Sequence, residues 1–288
     1  MKKIIALLLC LLGSFSVVAQ EQFDVNQFLD SLNFQSGEVA LPNGVATVTL
    51  PEGYVYLSPE DAERLLVEGW GNPPGQDVLG MILPSDRNPF SADSWAVTLK
   101  YLEDGYVSDK DADSIDYDEL IDGMKSEIAD ANSERVKQGY DAIELIGWAA
   151  KPYYNPETKK LYWAKELKFG DSEENTLNYN IRILGRKGVL LLNFIAGMEQ
   201  LPEINQRLDD VLAMADFNPG MQYSDFEPDI DTVAAYGIGA LVAGKLAAKA
   251  GLLAAGLILV KKFGVFIVIG LGALFSRFRR RKKVETEV

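Results

Sequence analysis

The sequence predicts an α+β fold: an antiparallel sheet covered by helices, followed by a C-terminal membrane helical region. Three observations carry that prediction. Stretches with period-two hydrophobicity follow one another in hairpin order, amphipathic helical stretches are interposed between them, and the chain closes on an apolar run ending in Arg277, Arg279, Arg280, Arg281, Lys282 and Lys283.

The elements follow in chain order. Apolar residues at Val25, Phe28, Leu29 and Leu32 place a short amphipathic helix over 24–32. A strand over 45–50 ends at Pro51-Glu52-Gly53. Ser58-Pro59-Glu60-Asp61 opens a second helix, with Ser58 as N-cap and Pro59 in the first turn, and Glu68-Gly69 closes it. The loop 69–75 is too rich in Gly and Pro for regular structure, and its Trp70 either packs structurally or offers a protein contact. Strands over 78–83 and 95–101 come next, the second turning Trp95, Val97, Leu99 and Tyr101 inward. The longest external helix covers 116–138, entered by Asp116-Tyr117-Asp118-Glu119. Strands over 143–148, 161–169, 176–184 and 189–196 complete the sheet, the last two joined by the tight turn Gly185-Arg186-Lys187-Gly188. A helix over 203–215 buries Ile204, Leu208, Val211, Leu212 and Ala215 on one side.

The two ends set the expected topology. Lys2 and Lys3 precede an apolar run over 4–12, and Val17 and Ala19 suit a cleavage site, so 1–19 reads as a secretory signal that carries away Cys10. Residues 20–233 form the external, periplasmic α+β domain. Residues 234–276 form a small-residue-rich helix and a transmembrane span, and 277–288 a basic tail held in the cytoplasm, which puts the protein in the bacterial inner membrane.

Lys261 and Lys262 divide the apolar run into 250–260 and 263–275. At 1.5 Å per residue these halves reach about 16 and 20 Å, against a hydrocarbon core of about 30 Å. Neither half spans alone. A single helix over 250–276 spans at a cost of roughly 2.5 kcal/mol per central lysine, whereas a hairpin would return the basic end to the outside, so the single span is preferred. Upstream, Ala240, Gly244 and Ala248 form one row of small residues and Ala243, Ala247, Gly251 and Ala255 another, with Lys245 and Lys249 on a different face. Such a segment is either an interfacial helix with a solvated basic face or a self-associating one.

Composition restricts the chemistry. Taking the leader's two lysines and the tail's ten basic and two acidic residues from totals of 28 basic and 42 acidic leaves 16 against 40 in the external domain, a net charge of −24. That surface repels nucleic acid, and either maintains solubility or favours neutral or cationic partners. The chain has no histidine, and its one cysteine leaves with the signal. Ser-His-Asp and Cys-His nucleophiles, histidine acid-base catalysis, His or Cys zinc sites and thiol redox chemistry are thereby excluded. Carboxylate-pair hydrolysis, Ser-Lys chemistry, oxygen-ligand metals or no catalysis remain, and no cofactor is implied.

Several stretches have a family likeness: Trp148-Ala149 followed by Pro152-Tyr153-Tyr154; residues 161–167; Asn178-Tyr179-Asn180-Ile181-Arg182 running into Gly185-Arg186-Lys187-Gly188; and Ala234-Ala235-Tyr236-Gly237. Together they resemble the bacterial membrane-anchored proteins grouped as domain-of-unknown-function family 2167. The resemblance covers nearly all of the mature chain and implies the topology above, but no reaction. By analogy of element order the external domain is similar to PsbP and Mog1 sandwiches, many of which act as assembly or adaptor modules.

Four candidate sites emerge. If Leu177, Tyr179, Ile181 and Ile183 are buried, then Asn178, Asn180 and Arg182 share the opposite face, and the hairpin partner adds Asn193. Such a strip is a solvated face, an internal network under a helix, or a ligand- or peptide-recognition face. Lys165 falls on the side of Trp163 and Leu167, where a lysine snorkels, pairs with a carboxylate or has a depressed pKa. Asp109, Asp111 and Asp113 alternate as in the first half of a calcium loop, but Ser114 and Leu120 stand where its Gly and bidentate Glu belong, leaving a weak metal candidate or an acidic turn before a helix. Glu144 and Glu166, with that turn, are the acids available to a hydrolase.

The expected function is therefore a non-catalytic binding or assembly module, anchored in the membrane, that contacts an envelope protein or self-associates through its tail. A carboxylate-dependent hydrolase acting on envelope material and a calcium-responsive binding module are the alternatives.

Overall fold

A computed structural model describes residues 23–243. The signal expected at 1–19, the span expected within 234–276 with its paired lysines, and the basic tail lie outside these residues, apart from 234–243. Among the described residues no helix is long and apolar enough to cross a membrane.

In chain order the elements are α1 (Val25–Asp30), β1 (Glu38–Ala40), β2 (Ala46–Thr49), β3 (Tyr54–Leu57), α2 (Pro59–Arg64, continued by a π-helical turn over Leu65–Gly69), β4 (Gly80–Pro84), β5 (Ala96–Leu102), β6 (Tyr106–Ser108), α3 (Tyr117–Lys137), β7 (Ile143–Asn155), β8 (Lys160–Phe169), β9 (Thr176–Leu184), β10 (Val189–Gly197), α4 (Leu201–Met214), β11 (Ala215–Phe217), β12 (Val233–Gly237) and α5 (Ile238–Ala243). Seven of the strands form an antiparallel sheet in the order β3-β4-β5-β10-β9-β8-β7, beside a small β1-β2-β11 sheet and a β12-β6 pair. This is an α+β architecture with antiparallel sheets.

The helices begin where their caps dictate. Asp24 Oδ1 accepts from the amides of Asn26 and Gln27 at 3.0 and 3.1 Å. Ser58 accepts from the Asp61 amide with Pro59 in the first turn, and Asp116 accepts from Asp118 and Glu119, each at 3.0 Å. Each cap satisfies amides that the first helical turn leaves without a partner.

Alternation assigns the two faces of the large sheet. Val97, Leu99, Leu177, Tyr179, Ile181, Ile183, Leu190, Leu192 and Phe194 pack in one cluster with α4 and the small β1-β2-β11 sheet. The opposite face is covered at its two ends by different elements. At the β3-β4 end, Leu57, Met81 and Leu83 meet Phe28, Leu65 and Leu66. At the β8-β7 end, Leu161, Trp163 and Leu191 pack with Val107, Ala234, Ile238 and Leu241, while Leu145 meets Ile121 and Met124 of α3.

Three expectations need correction. The strand expected over 143–148 runs to Asn155, because register shifts after Leu145, Trp148 and Ala150 absorb the residues that break its alternation, and Pro152 is tolerated on this edge strand. The small-residue helix expected from Ala234 starts at Ile238: Val233–Gly237 is strand β12, parallel to β6, with the Tyr106 amide donating to Thr232 O at 2.8 Å. Here pairing overrides the helical preference of alanine. Strands β1, β3, β6 and β11, too short to show a period, also join the fold.

Candidate functional site

Directly paired residues in antiparallel strands share a face, so the register defines a grid on the half-covered side of the sheet. One row holds Thr98, Asn193, Asn180 and Trp163. The next row towards the end of β10 holds Ile195, Asn178, Lys165 and Trp148, and the row on the other side holds Lys100, Leu191, Arg182 and Leu161. All five residues read as a binding face, Asn178, Asn180, Arg182, Asn193 and Lys165, therefore lie together.

Hydrogen bonding makes this strip one network. Arg182 Nη1 donates to Asn193 Oδ1 and to Ile181 O, both at 2.9 Å, and Nη2 donates to Asn180 Oδ1 at 3.2 Å. Asn180 Nδ2 donates to Asn178 Oδ1 at 3.0 Å and to Asn178 O at 2.9 Å. The guanidinium lies over the Trp163 ring, 4.8 Å from its centroid, in a cation-π contact. Asn180 and Arg182 are buried, so the centre of the strip is an internal hydrogen-bond network. Asn178, Asn193 and Lys165 remain partly exposed at its margin.

The electrostatics are unusual for so acidic a chain. Burial, and secondarily the neighbouring Arg182 charge, push the Lys165 ammonium down to about 8. Burial also lowers Arg182. Lys100 is lowered by burial and by Arg182, with Asp77 and Glu63 offsetting part of the effect. Among the described residues none of the three cations forms an ion pair with a carboxylate. Lys100 and Thr98 escaped the sequence reading. Alternation turns both away from Val97 and Leu99, but only the β5-β10 register places them beside Asn193 and Arg182.

The acidic candidates are distributed elsewhere. Asp109 is bound to Lys159 Nζ at 2.8 Å and to the Tyr154 hydroxyl at 2.7 Å. Asp111 accepts from the Ile238 and Gly239 amides that begin α5, at 3.0 and 3.2 Å. Asp113 lies in the short 3₁₀ turn Ala112–Ser114. Among the described residues no three acids converge on a metal position. Glu166 points to the face opposite Lys165, where it accepts from Asn175 Nδ2 at 2.6 Å, and Glu144 is exposed on edge strand β7. Trp70 packs against the α1-α2 cluster, and its loop is tied down by Asn72 Nδ2 donating to Leu66 O at 3.0 Å.

The comparison with protein families decides the affiliation. A family model described as "Protein of unknown function (DUF2167)" matches residues 33–272. The chain belongs to the DUF2167 family. The match takes in every strand of the fold and so the whole DUF2167 strip, Lys100 and Lys165 included. No curated protein matches the sequence.

Among solved structures, the chain is similar to cyanobacterial PsbP (CyanoP) from Synechocystis, at 12% identity and a TM-score of 0.34, covering 65% of this chain and 92% of that one. It is similar to the Saccharomyces cerevisiae Ran-binding protein Mog1p at 13% identity and a TM-score of 0.33, covering 68% and 100%. A third similarity is to LpqN, involved in cell envelope biogenesis of Mycobacterium tuberculosis, at 12% identity and a TM-score of 0.29, covering 69% and 99%.

Proposed function

We propose that this DUF2167 protein is a membrane-anchored envelope component whose external α+β domain is a non-catalytic binding or assembly module, and that its recognition face is the strip Asn178, Asn180, Arg182, Asn193 and Lys165. The observation that carries the reading is the grouping itself: five hydrogen-bonding side chains from three adjacent strands occupy neighbouring rows of one face. An internal network needs only Asn180, Arg182 and Asn193. Asn178 and Lys165 extend it to the surface, where Lys165 has no hydrogen-bond partner among the described residues.

Sequence supports the address: the leader-like start, the apolar stretch and the terminal basic cluster together favour an external domain and an internal tail. The layering, with a small sheet and α4 on one face and helices on the other, suits a sandwich of the PsbP and Mog1 type. The apolar tail remains a candidate for self-association or for contact with an envelope protein.

A photo-crosslinking residue at position 178 of the full-length protein, in its native membrane, tests the reading. Position 134, on the exposed outer side of α3, serves as the control. A discrete adduct specific to position 178 is expected. Identical labelling from both positions, or no adduct from either, would overturn the assignment of this face.

A further inference from the structure

The strip is more specific than a polar surface, and its specificity lies in what it lacks. Elsewhere in the described residues, Arg87 is paired with Glu203, Arg186 with Asp231 and Glu227, Arg207 with Glu203, and Lys159 with Asp109, while the half-buried Lys160 donates to Leu212 O and Lys168 stands alone without an ion pair. What distinguishes the strip is that three such cations lie on one face. Acids outnumber bases 42 to 28 in the chain, so carboxylates are plentiful. Even so, Lys100, Arg182 and Lys165 have no ion pair among the described residues, and Arg182 lies close enough to both lysines for its charge to act on each. Asp77 and Glu63 act on Lys100, but among the described residues no carboxylate acts on Arg182 or Lys165. A buried charge without a counter-charge and like charges side by side are both unfavourable, so the Arg182 and Lys165 pair stores a demand for negative charge.

The hydrogen bonds narrow the demand further. The side-chain oxygens of Asn193 and Asn180 accept from Arg182, and that of Asn178 accepts from Asn180. The strip's amide acceptors are thus engaged internally. What remains unpartnered among the described residues is donors: the ammonium groups of Lys165 and Lys100 and the amide nitrogens of Asn178 and Asn193. A cationic or donor-rich ligand would meet like charge from Arg182 and Lys165 and only the second lone pairs of already engaged amide oxygens. An anion with several oxygens would meet ammonium and amide donors around a guanidinium that Trp163 and three oxygen acceptors already hold in place.

We infer that this face binds an oxyanion, a carboxylate or phosphate group, seated between Lys165, Arg182 and Asn178, with Lys100 adding positive field from the far side. The inference rests on the strip being the recognition face and adds the chemical class of what it recognises. The acidic remainder of the domain repels anions in general, so the site selects a ligand able to satisfy the local donors. Both a soluble metabolite and a lipid headgroup carry that chemistry.

The test uses full-length protein in an uncharged detergent. Sodium phosphate, sodium acetate and short-chain phosphatidylglycerol are titrated separately, with sodium chloride and short-chain phosphatidylcholine as controls at matched ionic strength. Heat of binding and melting temperature are the readouts. Saturable binding of phosphate or acetate beyond chloride, weakened at least tenfold by Lys165→Gln or Lys100→Gln and unchanged by Lys187→Gln on the exposed hairpin turn, supports a soluble ligand. The same pattern with phosphatidylglycerol alone supports a headgroup. No saturable response to any of the three, or a response that ignores both substitutions, overturns the oxyanion assignment. If the adduct from position 178 nevertheless survives in Lys165→Gln, the face still recognises a partner and only the ligand class is wrong.

Discussion

The Arg182 guanidinium rests 4.8 Å from the centre of the Trp163 ring, on the adjacent strand, while Asn193 and Asn180 accept its hydrogen bonds. Trp163 is almost fully buried and its own indole N–H has no partner among the described residues. The tryptophan therefore acts as a platform, and among the described residues the cation above it is held by a π face and neutral oxygens with no carboxylate. Lys165, one row away and on the same strand as Trp163, inherits that positive field.

Lys165 costs the fold stability. Lys165→Met keeps the unbranched stem and removes a partly buried charge next to Arg182, so it is expected to raise stability by roughly 1 kcal/mol, as when unfavourable buried ionic groups are replaced by apolar ones. Urea denaturation of the variant and the parent measures the difference. A decrease would overturn the reading of Lys165 as an uncompensated charge.

The pH dependence follows from the same residue. Its ammonium titrates near 8 in the folded protein against an ordinary 10.5. Between those values the unfolded chain holds a proton that the folded one has released, so stability rises with pH through this window. Above pH 10 the opposite trend begins, because burial pushes Tyr56, Tyr101 and Tyr179 up to about 12 and the unfolded tyrosines ionise first. Between pH 8 and 10 the parent's urea midpoint should climb towards that of Lys165→Met. Anion binding should weaken over the same interval, as the charge it relies on is lost.

Gly188 closes the β9-β10 hairpin where the backbone crowds β5. A Cβ there would collide with Leu102 O and the Tyr101 ring. Because the obstacle includes backbone, Gly188→Ala is expected to cost about 1–3 kcal/mol, the range for overpacking. Gly139→Ala makes a useful contrast: among the described residues no atom lies within 4 Å of its Cβ position, and its positive φ of 86° is what opposes the change. Chemical denaturation of both variants separates crowding from backbone strain.

Calcium should leave the domain's melting temperature unchanged at millimolar concentration. Asp109 is committed to Lys159 and Tyr154, and Asp111 to the first amides of α5. Asp111→Ala should instead lower stability by about 1 kcal/mol through loss of the helix cap, with or without calcium. A calcium-dependent rise in melting temperature that Asp111→Ala removes would restore the metal reading of this turn.

The strip was half legible before the structure. The alternation of Leu177, Tyr179, Ile181 and Ile183 is a local period, so it reveals that Asn178, Asn180 and Arg182 face the other way without any knowledge of their neighbours. Asn193 followed because a short turn fixes hairpin register. The row of Lys100 lies beyond local sequence, since it depends on β5 pairing with β10 across the intervening strands β6 to β9 and helix α3. Strand β12 departs from the expected helix for a related reason: Ala234 and Ala235 favour helix in isolation, and only pairing with the distant β6 makes them extended.

By itself the sequence determined the α+β class, the main helices with the Ser58 and Asp116 caps, and the alternating faces of β5, β8 and β9, because these depend on neighbours a few residues apart. The tertiary structure alone decided that Lys100, Arg182 and Lys165 share one donor-rich face, that Asp109 and Asp111 are engaged elsewhere and that Val233–Gly237 belongs to the folded domain. Those outcomes arise from strand register and long-range packing. A residue's chemistry there depends on which distant residue stands opposite it, and no local period encodes that partner.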